Sequence, residues 1–306
     1  RNYPFPGRTA VVICLDGCEP AYIDAAIEAG VMPTMKRIRE KGTMQLAHCV
    51  IPSFTNPNNM SIATGQPPAI HGICGNFLLD PETGEEVMMN DPKFLRVPTI
   101  FKRFYDAGAR IAIVTAKDKL RALLGHGLKF DEGRAICFST EKSNTTTREE
   151  HGVDNASKEL DIPVPSVYST ELSEYVFNAG VKLMTSFMPD LMYLTTTDYV
   201  QHKAAPGTKD ANAFYEMFDS YLTKLDSLGA AIIVTADHGM KAKHKSDGTP
   251  DVIYLQDLLD KSIGEGAARV ILPITDPYVV HHGALGSFAT AYLKPDVDKM
   301  AVIEKI

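Results

Sequence analysis

Several features that commonly announce a function are missing from this chain of 306 residues. No apolar run approaches the roughly 20 residues of a membrane-spanning helix. Lys and Arg number 31 against 38 Asp and Glu, for a net charge of −7, and they form no block, which argues against a nucleic-acid surface. The five cysteines (Cys14, Cys18, Cys49, Cys74 and Cys137) are odd in number and contain no CxxC pair. Reduced thiols in a cytoplasmic setting are therefore expected, rather than a disulfide framework. No segment repeats, and the first residues carry no signal-peptide pattern, although a chain opening on Arg1 is expected to have lost at least its initiator Met. Small anionic substrates stay open, because a bound cation can override the global charge locally.

What is present is an alternation of strands and helices. Thr9–Leu15 reads as a fully buried strand, continuous and β-branched, and so do Leu191–Thr197 and Ala230–Thr235. Thr43–Val50 and Arg110–Val114 read as further strands, and Phe77–Met89 as a hairpin broken at Asp80–Gly84. Helices are expected from Pro20, over Pro33–Lys41, Thr99–Ala107, Asp118–Leu124, Ser166–Ser186 and Asp210–Leu228. Cys137–Pro165 is polar and reads as a long surface loop. This order predicts an α/β fold with a largely parallel sheet. After about residue 250 the texture changes: helix over Val252–Lys261, strands at Arg269–Ile274 and Ser287–Leu293, and a helix from Asp296. Residues 1–250 are expected to form the core and 251–306 the start of a smaller α+β cap. The last helix pattern stops without a Gly or Asn cap, so the chain is expected to continue past Ile306.

Three of the buried strands run into an acid: Asp16, Asp198 and Asp237. A single aspartate there is commonly a helix cap. Three crowded at the carboxyl ends of a parallel sheet, where ligands bind, would repel one another unless a cation compensates. His202 follows Asp198 by four residues, one helical turn, and His238 follows Asp237 directly, so each can join its aspartate on one ion. Mixed His and Asp ligands suit zinc, with manganese or iron as alternatives. Thr55, in Pro-Ser-Phe-Thr-Asn-Pro-Asn-Asn-Met, stands before an expected helix N-terminus that favours a phosphoryl anion. It is either a cap (Asn56 being the other candidate) or a nucleophile whose hydroxyl a cation would activate.

Leu-Asp16-Gly, the Thr55 segment, Asp198-Tyr-Val-Gln-His202 and Thr-Ala-Asp237-His238-Gly-Met together resemble the alkaline phosphatase superfamily. Within it they are similar to the nucleotide pyrophosphatase/phosphodiesterase-like branch, and closer still to branch members that cleave the carbon–phosphorus bond of phosphonoacetate. The resemblance implies an alkaline-phosphatase-like core with a mixed, largely parallel sheet flanked by helices, plus a smaller cap. It implies two zinc ions, one held by Asp16, Thr55, Asp237 and His238, the other by Asp198, His202 and a further histidine. In the family that histidine comes late, in a His-Gly context. Of His244, His281 and His282 only His282 has that context, and the ligand is expected either there or, more in keeping with the cap, beyond Ile306. His281 and His282 would then be cap residues facing the substrate or the surface.

Asn76 matches the family's amide donor to a phosphoryl oxygen, its bland alternative being an ordinary turn asparagine. Lys117 and Lys119 follow a strand and are either a solvated loop or the partners of a substrate carboxylate. The resemblance implies hydrolysis of phosphonoacetate to acetate and phosphate through a phosphothreonine at Thr55, with Asn76, Lys117, Lys119 and Asp198 contacting a small anionic phosphonate. A phosphomonoesterase or phosphodiesterase on the same scaffold, or an inactive binding protein, are the competing readings. No nucleic acid and no membrane partner is expected, and a homodimer is compatible with the sequence.

Overall fold

The computed structural model describes residues 7–80, 82–272 and 286–306. The continuous apolar runs become the inner strands of a parallel sheet. β1 (Ala10–Cys14) is followed by the ribbon strands β2 (Phe77–Leu79) and β3 (Glu86–Met88). Then come β4 (Ile111–Thr115), β5 (Ala135–Ser139), β6 (Leu191–Thr195) and β7 (Ala231–Thr235). The five-stranded sheet has the order β5-β4-β6-β1-β7, and each neighbouring pair is parallel. Cys14 is level with Thr195 and with Thr235, and Thr115 with Thr195 and Ser139, so all five strands end at one height.

Both faces of the sheet are covered, as parallel strands require. Val11, Ile13, Val114, Phe138 and Leu194 point to one face. They pack under helices α1 (Pro20–Glu28), α2 (Pro33–Lys41), α5 (Glu171–Ser186) and α6 (Lys209–Ser227). Cys14, Ile111, Ile113, Cys137 and Tyr193 point to the other, under α3 (Thr55–Thr64) and α4 (Ile100–Asp106). The alternation is the period-two rule of a strand read twice, once for each layer. Gly180 lets α5 lie close on β6, since a Cβ there would stand 2.6 Å from Leu194 Cδ1.

Two expectations need correction. Thr43–Val50 is not a strand: the segment is irregular and residues 43–49 are exposed, because its weak alternation finds no partner ladder among the described residues. Cys137–Pro165 is not a long loop. It opens inside β5, whose five residues are all buried, and continues through a 3-10 stretch (Thr140–Thr145) and two short helices (Arg148–His151, Ala156–Glu159). Its charged residues face out, while Thr140, Ser143, Thr146 and His151 turn inward. Thr146 Oγ1, for example, donates to Ser143 O at 3.2 Å and accepts from Ala156 N at 2.8 Å.

Beyond residue 250 stand α7 (Leu255–Ile263), an antiparallel pair β8 (Ala268–Ile271) and β9 (Thr290–Leu293), and α8 (Lys299–Lys305). Leu259, Ala268 and Val302 form a separate small core there. The β8–β9 ribbon meets the β2–β3 hairpin: Arg269 Nε donates to Glu86 Oε1 at 2.7 Å, and Leu79 N donates to the Tyr292 hydroxyl at 3.4 Å.

Candidate metal centre and anion recess

Because the strands end level, residues two positions past each end stand in one rank. Asp16 follows β1 by two, Asp237 follows β7 by two and Lys117 follows β4 by two. Asp198 is three past β6. With strands about 4.8 Å apart, the adjacent β1 and β7 bring Asp16 and Asp237 together, and the β4 lysine stands about 10 Å from Asp16. The chain must turn sharply after Asp16, and Gly17 supplies the turn at φ +69°, a region that favours glycine. A Cβ at Gly17 would press on Asp198 Cβ at 3.0 Å.

Asp16, Asp237 and His238 each offer a ligand atom within 4.8 Å of the others, and they form the one such group among the described residues. Asp237 is fixed from three sides. Its Oδ1 accepts from Gly17 N (3.3 Å) and His238 N (3.0 Å), and its Oδ2 accepts from Asn59 Nδ2 (2.9 Å). Asp16 Oδ1 is buried without a hydrogen bond, 3.2 Å from His238 Nε2. Thr55 Oγ1 lies 3.5 Å from the same ring nitrogen. Burial, with the Asp16 charge behind it, pushes the Asp237 carboxyl up to about 7. At His238 burial works against the charged ring, but Asp237 and Asp16 outweigh it and raise its pKa well above the usual range. Two buried carboxylates, one of them with an oxygen that makes no hydrogen bond, and one imidazole are a donor set that fits a divalent cation.

Asp198 and His202 make the second pair. One turn joins them, His202 N donating to Asp198 O at 3.0 Å, and His202 Nε2 lies 2.8 Å from Asp198 Oδ2. Burial would raise the Asp198 carboxyl, yet the His202 hydrogen bond and charge, helped by His238 and Lys117, hold it well below the usual carboxylate range.

Thr55 is the first residue of α3 rather than its cap. Phe54 holds the cap position, and no side chain caps the helix. Pro57 falls in the first turn, and the hydroxyl of Thr55 is left facing the recess it lines with Asp16, Thr115, Lys117, Lys119 and Leu120. Lys117 is buried and Lys119 half-buried, so they are not a solvated loop. Asn76 is buried and its Oδ1 accepts from Asn56 N at 3.0 Å, at the N-terminus of α3. With the oxygen engaged, the NH2 is the end that can serve an anion.

Asn56 is no cap; it is buried, and its side chain donates to Met89 O at 3.0 Å. His244 is exposed, with Nδ1 3.2 Å from Lys245 O. His281 and His282 lie outside the described residues. Sequence reasoning missed the support behind Asp237. Tyr193 on β6 donates its hydroxyl to Asn59 Oδ1 at 2.8 Å, and Asn59 also donates to Thr55 O at 3.1 Å. The side chain that orients the aspartate is thus tied to the backbone of Thr55. The only hint was Asn59 one helical turn after Thr55.

Comparison with known proteins gives this geometry a family. The family model for type I phosphodiesterase / nucleotide pyrophosphatase matches residues 10–302. The chain belongs to that family. It is 72% identical to the phosphonoacetate hydrolase of Sinorhizobium meliloti 1021, solved in complex with phosphonoacetate and with phosphonoformate. All of this chain and 74% of that one are covered, at a TM-score of 0.95. Murine ectonucleotide pyrophosphatase/phosphodiesterase 5, in an inactive form with AMP, shares the fold at 16% identity, 86% and 72% coverage and a TM-score of 0.53. The alkaline phosphatase PafA does so at 15%, 88% and 71%, and 0.59. Those two likenesses bear out the alkaline-phosphatase-like core. No helix among the described residues is long and apolar enough to cross a membrane.

Proposed function

We propose that this family member hydrolyses the carbon–phosphorus bond of phosphonoacetate to acetate and phosphate, with Thr55 as nucleophile and zinc as the metal. The observation that carries the reading is the recess in which two lysines share walls with Thr55 and Asp16. The 72% identity to phosphonoacetate hydrolase supports it. Asp16, Asp237, His238 and Thr55 would hold one ion, and Asp198 and His202, with a further histidine, a second. Bound there, zinc would lower the pKa of the threonine hydroxyl and neutralise charge on phosphoryl oxygens.

The phosphonate lies at the N-terminus of α3, where backbone N–H groups and the Asn76 amide receive its oxygens. The carboxylate extends towards Lys117 and Lys119. Thr55 Oγ1, its proton released to solvent, attacks phosphorus in line, forming the O–P bond as the P–C bond breaks. The departing electron pair delocalises into the carboxylate as an enolate-like dianion, and the two ammonium groups stabilise that charge where it grows. Protonation of the methylene carbon gives acetate. Water then attacks the phosphothreonine, releasing phosphate and restoring the hydroxyl.

Residues 251–306 are read as belonging to a smaller α+β cap, supported by their separate core and their contact with the β2–β3 hairpin. A cytoplasmic setting is supported by five free cysteines. Zinc-loaded protein incubated with phosphonoacetate is expected to release acetate and phosphate in equal amounts by NMR. Hydrolysis of nitrophenyl phosphate with no acetate released would overturn the reading in favour of a phosphate-ester hydrolase.

A further inference from the structure

Two lysines at i and i+2 reach one recess only if the backbone between them turns. The turn is made by the 3-10 stretch Asp118–Leu120, and its first residue is bound on every side. Thr115 Oγ1 donates to Lys117 O at 2.8 Å, fixing the residue before it. Asp118 N donates to Glu141 Oε1 at 2.5 Å. The Asp118 carboxylate accepts from Ser139 Oγ at 2.9 Å and Arg121 Nε at 3.0 Å through Oδ1, and from Lys142 Nζ at 2.9 Å through Oδ2. Ser139 is the last residue of β5 and is buried, so the clamp fastens the lysine turn to the neighbouring strand end. Arg121 and Lys142, two cations, both pair with the single Asp118 carboxylate. Burial would raise the carboxyl, but Lys142, Arg121 and Ser139 together lower it below its usual value, in keeping with a permanently ionised anchor.

We propose that Asp118 is a positioning residue for substrate selection: by clamping the Lys117–Lys119 turn to the end of β5, it sets the preference for anions that carry a carboxylate beside the phosphoryl group. This rests on the carboxylate role given above to the two lysines. Asp118 touches no substrate and acts through the lysines on either side of it.

The experiment compares, on zinc-loaded protein, phosphonoacetate read as the KM for acetate release with methylphosphonate, which lacks the carboxylate, read as a competitive inhibition constant. The wild type is expected to prefer phosphonoacetate. Asp118→Asn keeps the shape and removes the charge, and is expected to cut that preference about tenfold. Ser139→Ala removes one donor and is expected to cut it about threefold. Asp118→Glu is expected to restore part of it. Affinity for methylphosphonate and zinc content should stay within about twofold, a split that a merely structural role would not produce.

The proposal is overturned if Asp118→Asn keeps the wild-type preference, if it weakens both ligands in parallel, or if the wild type shows no preference. Should Asp118→Asn fail to fold, Ser139→Ala decides by the same readout, an unchanged preference counting against. Failure of the underlying reading shows separately, as wild-type protein that releases no acetate from phosphonoacetate.

Discussion

Asp16, Asp237 and His238 stand on the β1–β7 side of the crevice, Asp198 and His202 on the β6 side, and the two groups are balanced differently. The first has two crowded carboxylates, an Asp237 pKa lifted to about 7, and a buried Asp16 oxygen whose contact with His238 Nε2, at 3.2 Å, falls short of a hydrogen bond. Without an ion it must take up a proton to relieve its charge. The second is nearly self-sufficient, since His202 already pairs with Asp198 and holds its carboxyl ionised. Both groups fit a cation, yet the need for one is concentrated on the first. We expect the first to fill at lower metal concentration.

The largest effect that bears on this comparison is at Thr55, the proposed nucleophile, whose hydroxyl lies 3.5 Å from His238 Nε2. Thr55→Ala is expected to reduce turnover of phosphonoacetate by at least about a thousandfold, read as acetate release. Activity near wild type would remove Thr55 from the mechanism. Next, Asp237→Asn is expected to lose the tighter ion and His202→Ala the weaker one. Elemental analysis with chelator titration distinguishes them, and the same ion lost in both variants would break the comparison.

A smaller effect tests how the first group is held. Asn59→Ala leaves Asp237 Oδ2 and the Tyr193 hydroxyl without their shared partner, and should weaken the tighter ion roughly tenfold to a hundredfold. The weaker ion should be unaffected.

The last prediction leaves both groups untouched and serves as their control. His71 is fully buried beside α3, its Nδ1 accepting from Ile73 N at 3.1 Å and its Nε2 3.0 Å from Ser61 Oγ. Burial lowers its pKa to about 4. A histidine kept neutral in the fold binds fewer protons than the unfolded chain between about 4 and 6.5. Its contribution is therefore intact above the upper value and lost as pH falls. About 3 kcal/mol should disappear by pH 4, and His71→Gln should flatten that acid limb in denaturant titrations without changing zinc stoichiometry at pH 7.

The strands that carry the site were legible because a parallel strand buried on two faces must be apolar throughout, so the acid that ends it stands out. His202 was legible because one helical turn joins it to Asp198. β5 escaped notice: its five residues lie among polar neighbours, and the burial of Ser139, Thr140 and Thr146 depends on partners that local sequence does not reveal. The Tyr193–Asn59–Asp237 chain spans three distant segments and exists only once β6, α3 and β7 are assembled. Thr55 was misplaced by one position as a cap, since helix starts are read from side-chain preference while this one begins on Phe54 without a capping side chain.

The level ending of the five strands has a consequence for direction. Reading across the sheet from β5 to β7, the edge carries lysine past β4, then aspartate past β6, β1 and β7. The crevice is therefore polarised along its own length: one pole is ammonium, and the other is carboxylate and imidazole, with the ligand atoms of Asp16, Asp237 and His238 within 4.8 Å of one another. A symmetric dianion would sit equally well either way round. Phosphonoacetate has two unequal ends, and under the proposed reading each pole would receive a different one. The frame of the sheet would then work as a compass for the substrate, aligning its phosphorus with Thr55 before any bond is made.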